Sequence, residues 1–120
     1  MNANSVRLPA WPAWMTSASV TESAAPASPQ LPGTTVTFTA VASGCPNPLY
    51  QFWILAPGAS TWTSLGAYSS TASYTWNTTG KPAGAYRYTV WVRDASSSGT
   101  NSNNLGSFDT YFPATTYTLT

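Results

Sequence analysis

The sequence has no histidine, one cysteine and few charged residues, since Lys, Arg, Asp and Glu together make up only 6% of its 120 positions. Without histidine, a serine or cysteine hydrolase lacks its usual general base, and zinc lacks its commonest nitrogen ligand. The lone Cys45 cannot form an internal disulfide, and we interpret it as a half-buried residue beside a turn. Four scattered basic residues form no basic stripe, which argues against nucleic acid as a partner.

The three acidic residues give little support for catalysis. Glu22, Asp94 and Asp109 fall in different predicted strands or loops, so no carboxylate pair is marked for acid–base chemistry. Asp94 is expected to cap a turn, and a calcium site built from Asp94, Asp109 and loop carbonyls is the alternative. No glycine loop leads into a helix that could bind phosphate, because no helix is predicted. We therefore expect no enzymatic activity and no cofactor.

Targeting segments are also missing from the sequence. Its first residues lack the continuous apolar run of a signal peptide, and no stretch of roughly 18 apolar residues predicts a membrane-spanning helix. The 35 serine and threonine residues, interspersed with glycine and proline, are typical of secreted β modules. We therefore expect an extracellular or cell-surface location, without membrane insertion and with any export signal outside this chain.

Residues 1–16 are predicted to be an N-terminal extension, and residues 17–120 a single domain. Pro9 and Pro12 exclude a regular helix or central strand from the extension. Trp11 and Trp14 are large apolar side chains, which we expect to dock on the domain or on a neighbouring molecule.

The clearest strand pattern covers residues 83–94. Alternate positions place one set of side chains on each face of this strand: Tyr86, Tyr88, Val90 and Val92 on one, and Arg87, Thr89, Trp91 and Arg93 on the other. Further strands are predicted over residues 19–23, 34–43, 49–55, 61–65, 70–76, 107–112 and 116–119, with a bend at Pro113. Residues 95–104 are predicted to be an uncharged, flexible hairpin loop. The pattern indicates an all-β antiparallel sandwich of about seven to eight strands.

The segment Gly84-Ala85-Tyr86-Arg87-Tyr88 resembles the Gly-x-Tyr-x-Cys stretch of immunoglobulin-like domains. Residues from about Val20 to Leu119 also resemble bacterial immunoglobulin-like repeats of secreted or surface proteins. The resemblance implies that Tyr86 is a corner tyrosine whose hydroxyl bonds to nearby backbone.

In the same resemblance, Tyr88 and either Phe38 or Ala40 stand where the family has its two disulfide cysteines. The resemblance thus implies that packing replaces the disulfide. Either Phe52 or its neighbour Trp53 would take the place of the family's buried tryptophan.

An aromatic surface is the candidate binding site. If Trp53 and Trp91 both point outward from adjacent strands, they form a flat platform that sugar rings could stack on, with Gln51, Arg87, Thr89 and Arg93 around it. A second pair, Trp62 and Trp76, could form another such platform. The alternative is that Trp53 belongs to the core and that Trp91 packs over the arginine stems or a neighbouring domain.

We expect a noncatalytic module of a larger secreted or surface protein, serving as spacer and as adhesion or binding unit. Its partners would be neighbouring domains and a polysaccharide or protein ligand. A dedicated carbohydrate-binding module is the main alternative, and an enzyme of unexpected type a remote one. Low net charge and open sheet edges, especially over residues 107–119, also favour self-association.

Overall fold

The computed structural model describes residues 17–120, and over this range the chain is entirely β, without a helix. The expected docking of Trp11 and Trp14 lies outside the described residues. The strands are β1 (Ser19–Ala25), β2 (Thr35–Ser43), β3 (Pro48–Leu55), β4 (Thr63–Ser64), β5 (Ser73–Asn77), β6 (Gly84–Asp94), β7 (Asn101–Asn103), β8 (Gly106–Phe108), β9 (Thr110–Tyr111) and β10 (Thr115–Leu119).

Two antiparallel sheets pack face to face and give a β-sandwich-like fold. The first sheet has the order β1-β2-β5, and the second has the order β10-β6-β3-β4 with β9 paired to the far end of β6. Strands β9 and β10 therefore border the same strand, and the chain bends between them around Pro113, as the sequence predicted. Strands β7 and β8 form a separate two-stranded hairpin.

The core between the sheets follows from the alternation of apolar and polar residues. In β2, Val36, Phe38 and Ala40 are buried, whereas Thr35 and Thr39 on the opposite face are exposed. In β6, the four residues that the alternation assigned to one face all lie in this core. Aromatic rings fill its centre, where Phe38 and Tyr88 stack with ring centroids 4.7 Å apart. The register of the central strand is therefore the predicted one.

Three segments differ from the sequence prediction. Within the predicted hairpin loop, Asn101–Asn103 form a strand that pairs with Gly106–Phe108. The strand predicted over residues 107–112 is divided between this hairpin and β9, which pairs with β6. Hydrophobic periodicity could not identify the first strand of this hairpin, because its residues are all polar. The strand predicted over residues 61–65 is reduced to Thr63–Ser64, which pair with Trp53 and Ile54 at the edge of the sheet.

The outer edge of β10 is bordered by the segment that connects β1 to β2. Gln30 donates its backbone N–H to the Thr118 carbonyl at 3.1 Å and accepts from the Thr120 N–H at 2.9 Å, as in a parallel bridge. The Ser28 hydroxyl accepts from the Thr118 N–H at 2.8 Å. This segment therefore ties the first sheet to the last strand of the second.

Candidate functional site

The candidate site lies on the outer face of the second sheet, where β3 and β6 are adjacent and antiparallel. Gln51 pairs with Trp91 and Trp53 pairs with Thr89, so both tryptophans point away from the main core. Their ring centroids are 4.6 Å apart, but the rings are tilted by 46° to each other. The two side chains lie together on one face, as the sequence predicted, but their rings do not form the flat surface that it predicted.

The β7–β8 hairpin covers the two tryptophans. Phe108 packs on Trp91 with ring centroids 4.7 Å apart, and Leu105 also packs against the cluster. The hairpin backbone comes so close that a Cβ on Gly106 would lie 3.2 Å from the Trp91 ring. As a result, Trp53 and Trp91 are only 6% and 5% exposed. The expectation of an exposed platform is wrong, because Leu105, Gly106 and Phe108 lie over the two rings.

An open groove remains beside the covered tryptophans, with a volume of about 300 Å³. Most of its lining is aromatic or apolar: Trp53, Trp62, Trp91, Phe108, Tyr111, Leu105 and Ala114, with Thr89 and Asn103 as the polar members. We call this the aromatic groove. Tyr111 forms an accessible wall, since its side chain is 54% exposed. The groove is large enough for a small ligand, at the lower end of the usual range of about 300–1,000 Å³.

The polar atoms around the aromatic groove are mainly hydrogen-bond donors. The Trp53 Nε1 is buried and has no acceptor among the described residues. Asn103 uses its Oδ1 to accept the backbone N–H of Leu105 at 2.8 Å, so its amide N–H groups remain available. Arg87 is exposed and reaches the carbonyl of Ala114, a groove residue, at 3.4 Å. The site therefore offers ring faces and donors to a ligand.

The remaining two members of the predicted platform have structural partners. Gln51 donates its side-chain N–H groups to the Ser64 hydroxyl at 3.2 Å and to the Gly66 carbonyl at 3.1 Å. Arg93 donates to the Ser97 carbonyl at 2.6 Å and lies 4.8 Å from the centre of the Tyr68 ring. Neither residue lines the aromatic groove.

Tyr68 fixes the hairpin above the sheet. Its hydroxyl donates to the Ser107 carbonyl at 2.8 Å, and its ring packs against the cluster formed by Trp53, Trp91 and Phe108. Burial raises the pKa of this phenol above its usual value, so the hydroxyl stays protonated and able to donate.

The residues expected to be structural lie in the core between the sheets: Phe38, Phe52, Tyr86 and Tyr88. Phe52, rather than Trp53, faces this core. Trp76 is also buried there, in β5 of the first sheet, whereas Trp62 lines the aromatic groove on the second. Trp62 and Trp76 therefore form no common platform, because Trp76 lies between the two sheets and Trp62 lies on the outer face of the second sheet.

Two buried carboxylates anchor the loop that precedes the hairpin. Asp109 accepts hydrogen bonds from the Ser17 N–H at 3.0 Å, the Asp94 N–H at 2.9 Å and the Ser97 hydroxyl at 2.6 Å. Burial alone would raise the pKa of Asp109, but these hydrogen bonds outweigh it and leave the pKa below its usual value. The carboxylate is thus a fixed part of the scaffold that positions the groove.

Asp94 is held in a similar way, by backbone N–H groups of Asn47 at 2.6 Å and Ser96 at 2.9 Å. The second bond is the turn cap that the sequence predicted. The Cys45 thiol is 3.9 Å from Asp94, and burial raises its pKa. Residues 17–120 contain no group of three or more His, Cys, Asp or Glu side chains placed to hold a metal ion. The oxygens proposed as calcium ligands accept protein donors instead.

The sequence reasoning missed Leu105, Phe108 and Tyr111 as parts of the site. Phe108 and Tyr111 fall in the strand predicted over residues 107–112, but no local pattern places them, or Leu105, beside the two tryptophans. None of the described residues belongs to a helix that could cross a membrane. The chain matches no model of a protein family, and no curated protein or solved structure was found to be similar to it.

Proposed function

We propose that this chain is a noncatalytic immunoglobulin-like module of a larger secreted or cell-surface protein, and that it is a binding unit whose ligand occupies the aromatic groove. The observation that carries the binding role is the groove itself, an accessible cavity of about 300 Å³ walled by three tryptophans. A module that acts only as a spacer has no need of such a cavity.

The immunoglobulin-like part of the proposal is supported by the two sheets and by two local features. The Tyr86 hydroxyl donates to the Pro82 carbonyl, four residues upstream, at 2.8 Å, as a corner tyrosine does. Phe38 and Tyr88 stack across the core at the positions that correspond to the family's disulfide. The sheet orders β1-β2-β5 and β10-β6-β3-β4 agree with a sandwich of this type that lacks some edge strands.

The binding role is supported by the way in which the groove is built. Its floor belongs to the two longest strands of the second sheet, and its roof is held by the Tyr68 hydrogen bond and the Asp109 network. A cavity held from both sides keeps its shape before a ligand arrives, which reduces the entropy lost on binding. Pre-formed apolar cavities with a few polar groups are the usual form of small-ligand sites.

The test is a titration of the folded chain, followed by NMR of the tryptophan indole N–H signals, with a panel of soluble glycans and small aromatic compounds. Binding in the groove shifts the signals of Trp53, Trp62 and Trp91, whereas Trp76 in the core is an internal control. Trp62→Ala should abolish the shifts, because Trp62 is a groove wall. Leu31→Ala, at an exposed apolar residue outside the groove, should not. If no compound shifts the three signals, the binding role is wrong.

A second candidate function, a dedicated carbohydrate-binding module, is favoured by the combination of ring faces and donors. An aromatic face contacts the apolar C–H face of a pyranose, while amide and indole N–H groups bond its oxygens. In this version the sugar enters the groove rather than lying on an open platform, because the hairpin covers Trp91.

A further inference from the structure

We propose that the ligand of the aromatic groove is an acidic sugar, a single uronic acid ring of a polysaccharide whose carboxylate lies at Arg87. This inference rests on the proposed function, since it names the class of ligand that the same groove would take. Three properties support it: the size of the groove, the balance of its hydrogen-bond donors and acceptors, and the charges on this face of the sheet.

The groove has room for one ring rather than for an extended chain. Its volume is about 300 Å³, and it is bounded by Trp62 on the β4 side, by Leu105 and Phe108 of the hairpin and by Tyr111 of β9. These walls leave no long flat surface on which successive sugar rings could stack. A single ring that enters between aromatic faces buries apolar C–H surface on more than one side.

The accessible polar groups of the groove can all donate hydrogen bonds, so the ligand should supply acceptors. The Asn103 amide N–H groups are not used by the described residues, and the Tyr111 hydroxyl, which can both donate and accept, has no partner among them. The Thr89 hydroxyl already donates to the Phe112 carbonyl. The Trp53 N–H also lacks an acceptor, but it is inaccessible to solvent. Hydroxyl, ring and carboxylate oxygens of a sugar acid all accept hydrogen bonds.

The charges on this face favour an anion. No carboxylate lines the groove, because Glu22 lies in β1 of the other sheet and Asp94 and Asp109 are held by backbone and hydroxyl donors. Arg87 is exposed at the end of the groove where it contacts Ala114. Arg93 is held elsewhere, by Ser97 and Tyr68. A ligand cation would meet Arg87 without any compensating carboxylate, whereas a ligand carboxylate would meet an exposed guanidinium whose hydrogen bond to the Ala114 carbonyl is long, at 3.4 Å.

The experiment compares trigalacturonate with its methyl ester, which keeps the same rings and removes the charge. Benzyl alcohol is a third probe for the apolar groove alone. Binding is measured by the indole N–H shifts of Trp53, Trp62 and Trp91 at low salt and again in 0.5 M salt. The variants are Arg87→Gln and, as a matched control, Lys81→Gln, because Lys81 is an exposed cation that lies outside the groove.

We expect trigalacturonate to bind up to about fivefold more tightly than its ester at low salt, the size of an exposed ion pair. High salt should reduce this preference. Arg87→Gln should remove the preference, so that acid and ester bind equally, and Lys81→Gln should leave both affinities unchanged.

The other outcomes overturn the inference in distinguishable ways. Equal binding of acid and ester would refute the acidic ligand but leave the groove as a sugar site. Binding of benzyl alcohol without either sugar would refute the carbohydrate while keeping the groove as a binding site. If none of the three probes shifts the indole N–H signals of the three tryptophans in a folded chain, both the inference and the proposed binding role are wrong.

Discussion

Replacing Glu22 by glutamine should make the stability of the domain almost independent of pH between about 5 and 8. Glu22 lies in β1 with its side chain directed into the sandwich, 7% exposed, and neither carboxylate oxygen has a partner among the described residues. Burial raises the pKa of this carboxyl from 4.5 to about 8. The neighbouring Tyr88 phenol also has a raised pKa, because of its own burial and then of the Glu22 charge.

The direction of the effect follows from proton binding. Between pH 4.5 and 8 the folded chain keeps the Glu22 proton, whereas the unfolded chain has released it, so the free energy of unfolding falls as pH rises. Below pH 4.5 both states are protonated, and the contribution is complete. Each pKa unit corresponds to about 1.4 kcal/mol, so the loss is roughly 3 kcal/mol by pH 7 and somewhat more at pH 8.

The absence of histidine makes this measurement unusually clean, because no imidazole titrates in the same window. The assay is urea unfolding of the wild type and of Glu22→Gln at pH 5, 6, 7 and 8, followed by tryptophan fluorescence. The wild-type free energy of unfolding should fall across the series, and that of the variant should stay level. If the free energy of unfolding depends on pH in the same way in both proteins, Glu22 does not have the raised pKa of a buried, unpaired carboxyl.

Three further substitutions test the scaffold. Tyr86→Phe removes the hydroxyl that donates to the Pro82 carbonyl, and should lower the free energy of unfolding by about 1–3 kcal/mol in chemical denaturation; an unchanged midpoint would remove the corner role. Asp109→Asn should lower the free energy of unfolding by roughly 3 kcal/mol near neutral pH and should reduce the further loss of stability that the wild type shows below about pH 4, because hydrogen bonds lower the pKa of this carboxyl; Asp94, whose pKa is lowered too, should keep part of that acid transition, and a transition of unchanged size would contradict the role of Asp109. Gly99→Ala should displace the hairpin, since Gly99 has φ of 100° and a Cβ there would lie 2.7 Å from the Ser107 Cβ; red-shifted tryptophan emission with only partial loss of stability is expected, and unchanged emission would argue against it.

The main core was predictable because buried and exposed side chains alternate along each strand, and this alternation can be recognised within a few neighbouring residues. Val36 and Phe38 alternate with threonines, and Tyr88 and Val90 alternate with polar or bulky outer residues, so each strand shows its own inner face. The pairing of β3 with β6 was expected from the resemblance to immunoglobulin-like domains, in which the corresponding strands are adjacent. The sequence also placed Trp53 and Trp91 near each other, since neighbouring strands fix which side chains meet on a face.

The cover over those tryptophans was not predictable in the same way. Residues 101–104 are polar and exposed, and the side chains that seal the cluster, Leu105 and Phe108, are too few to show a period. Their position depends on distant contacts, such as the bond from Tyr68 to Ser107. The buried Glu22 was missed for a related reason, because an edge strand with a charged residue is normally interpreted as solvated on that residue's face.

The placement of the two ends of the sandwich has a mechanical consequence. Ser17 is bound at the Asp94 end of β6 through Asp109, whereas Thr120 lies beyond Leu119, which pairs with Gly84 at the opposite end. These ends are separated by the length of an 11-residue strand, about 35 Å. Tension between them would act along the strands and shear β10 against β6 and Gln30 together, loading many hydrogen bonds at once instead of opening them one by one. The fold would therefore resist stretching between these two points.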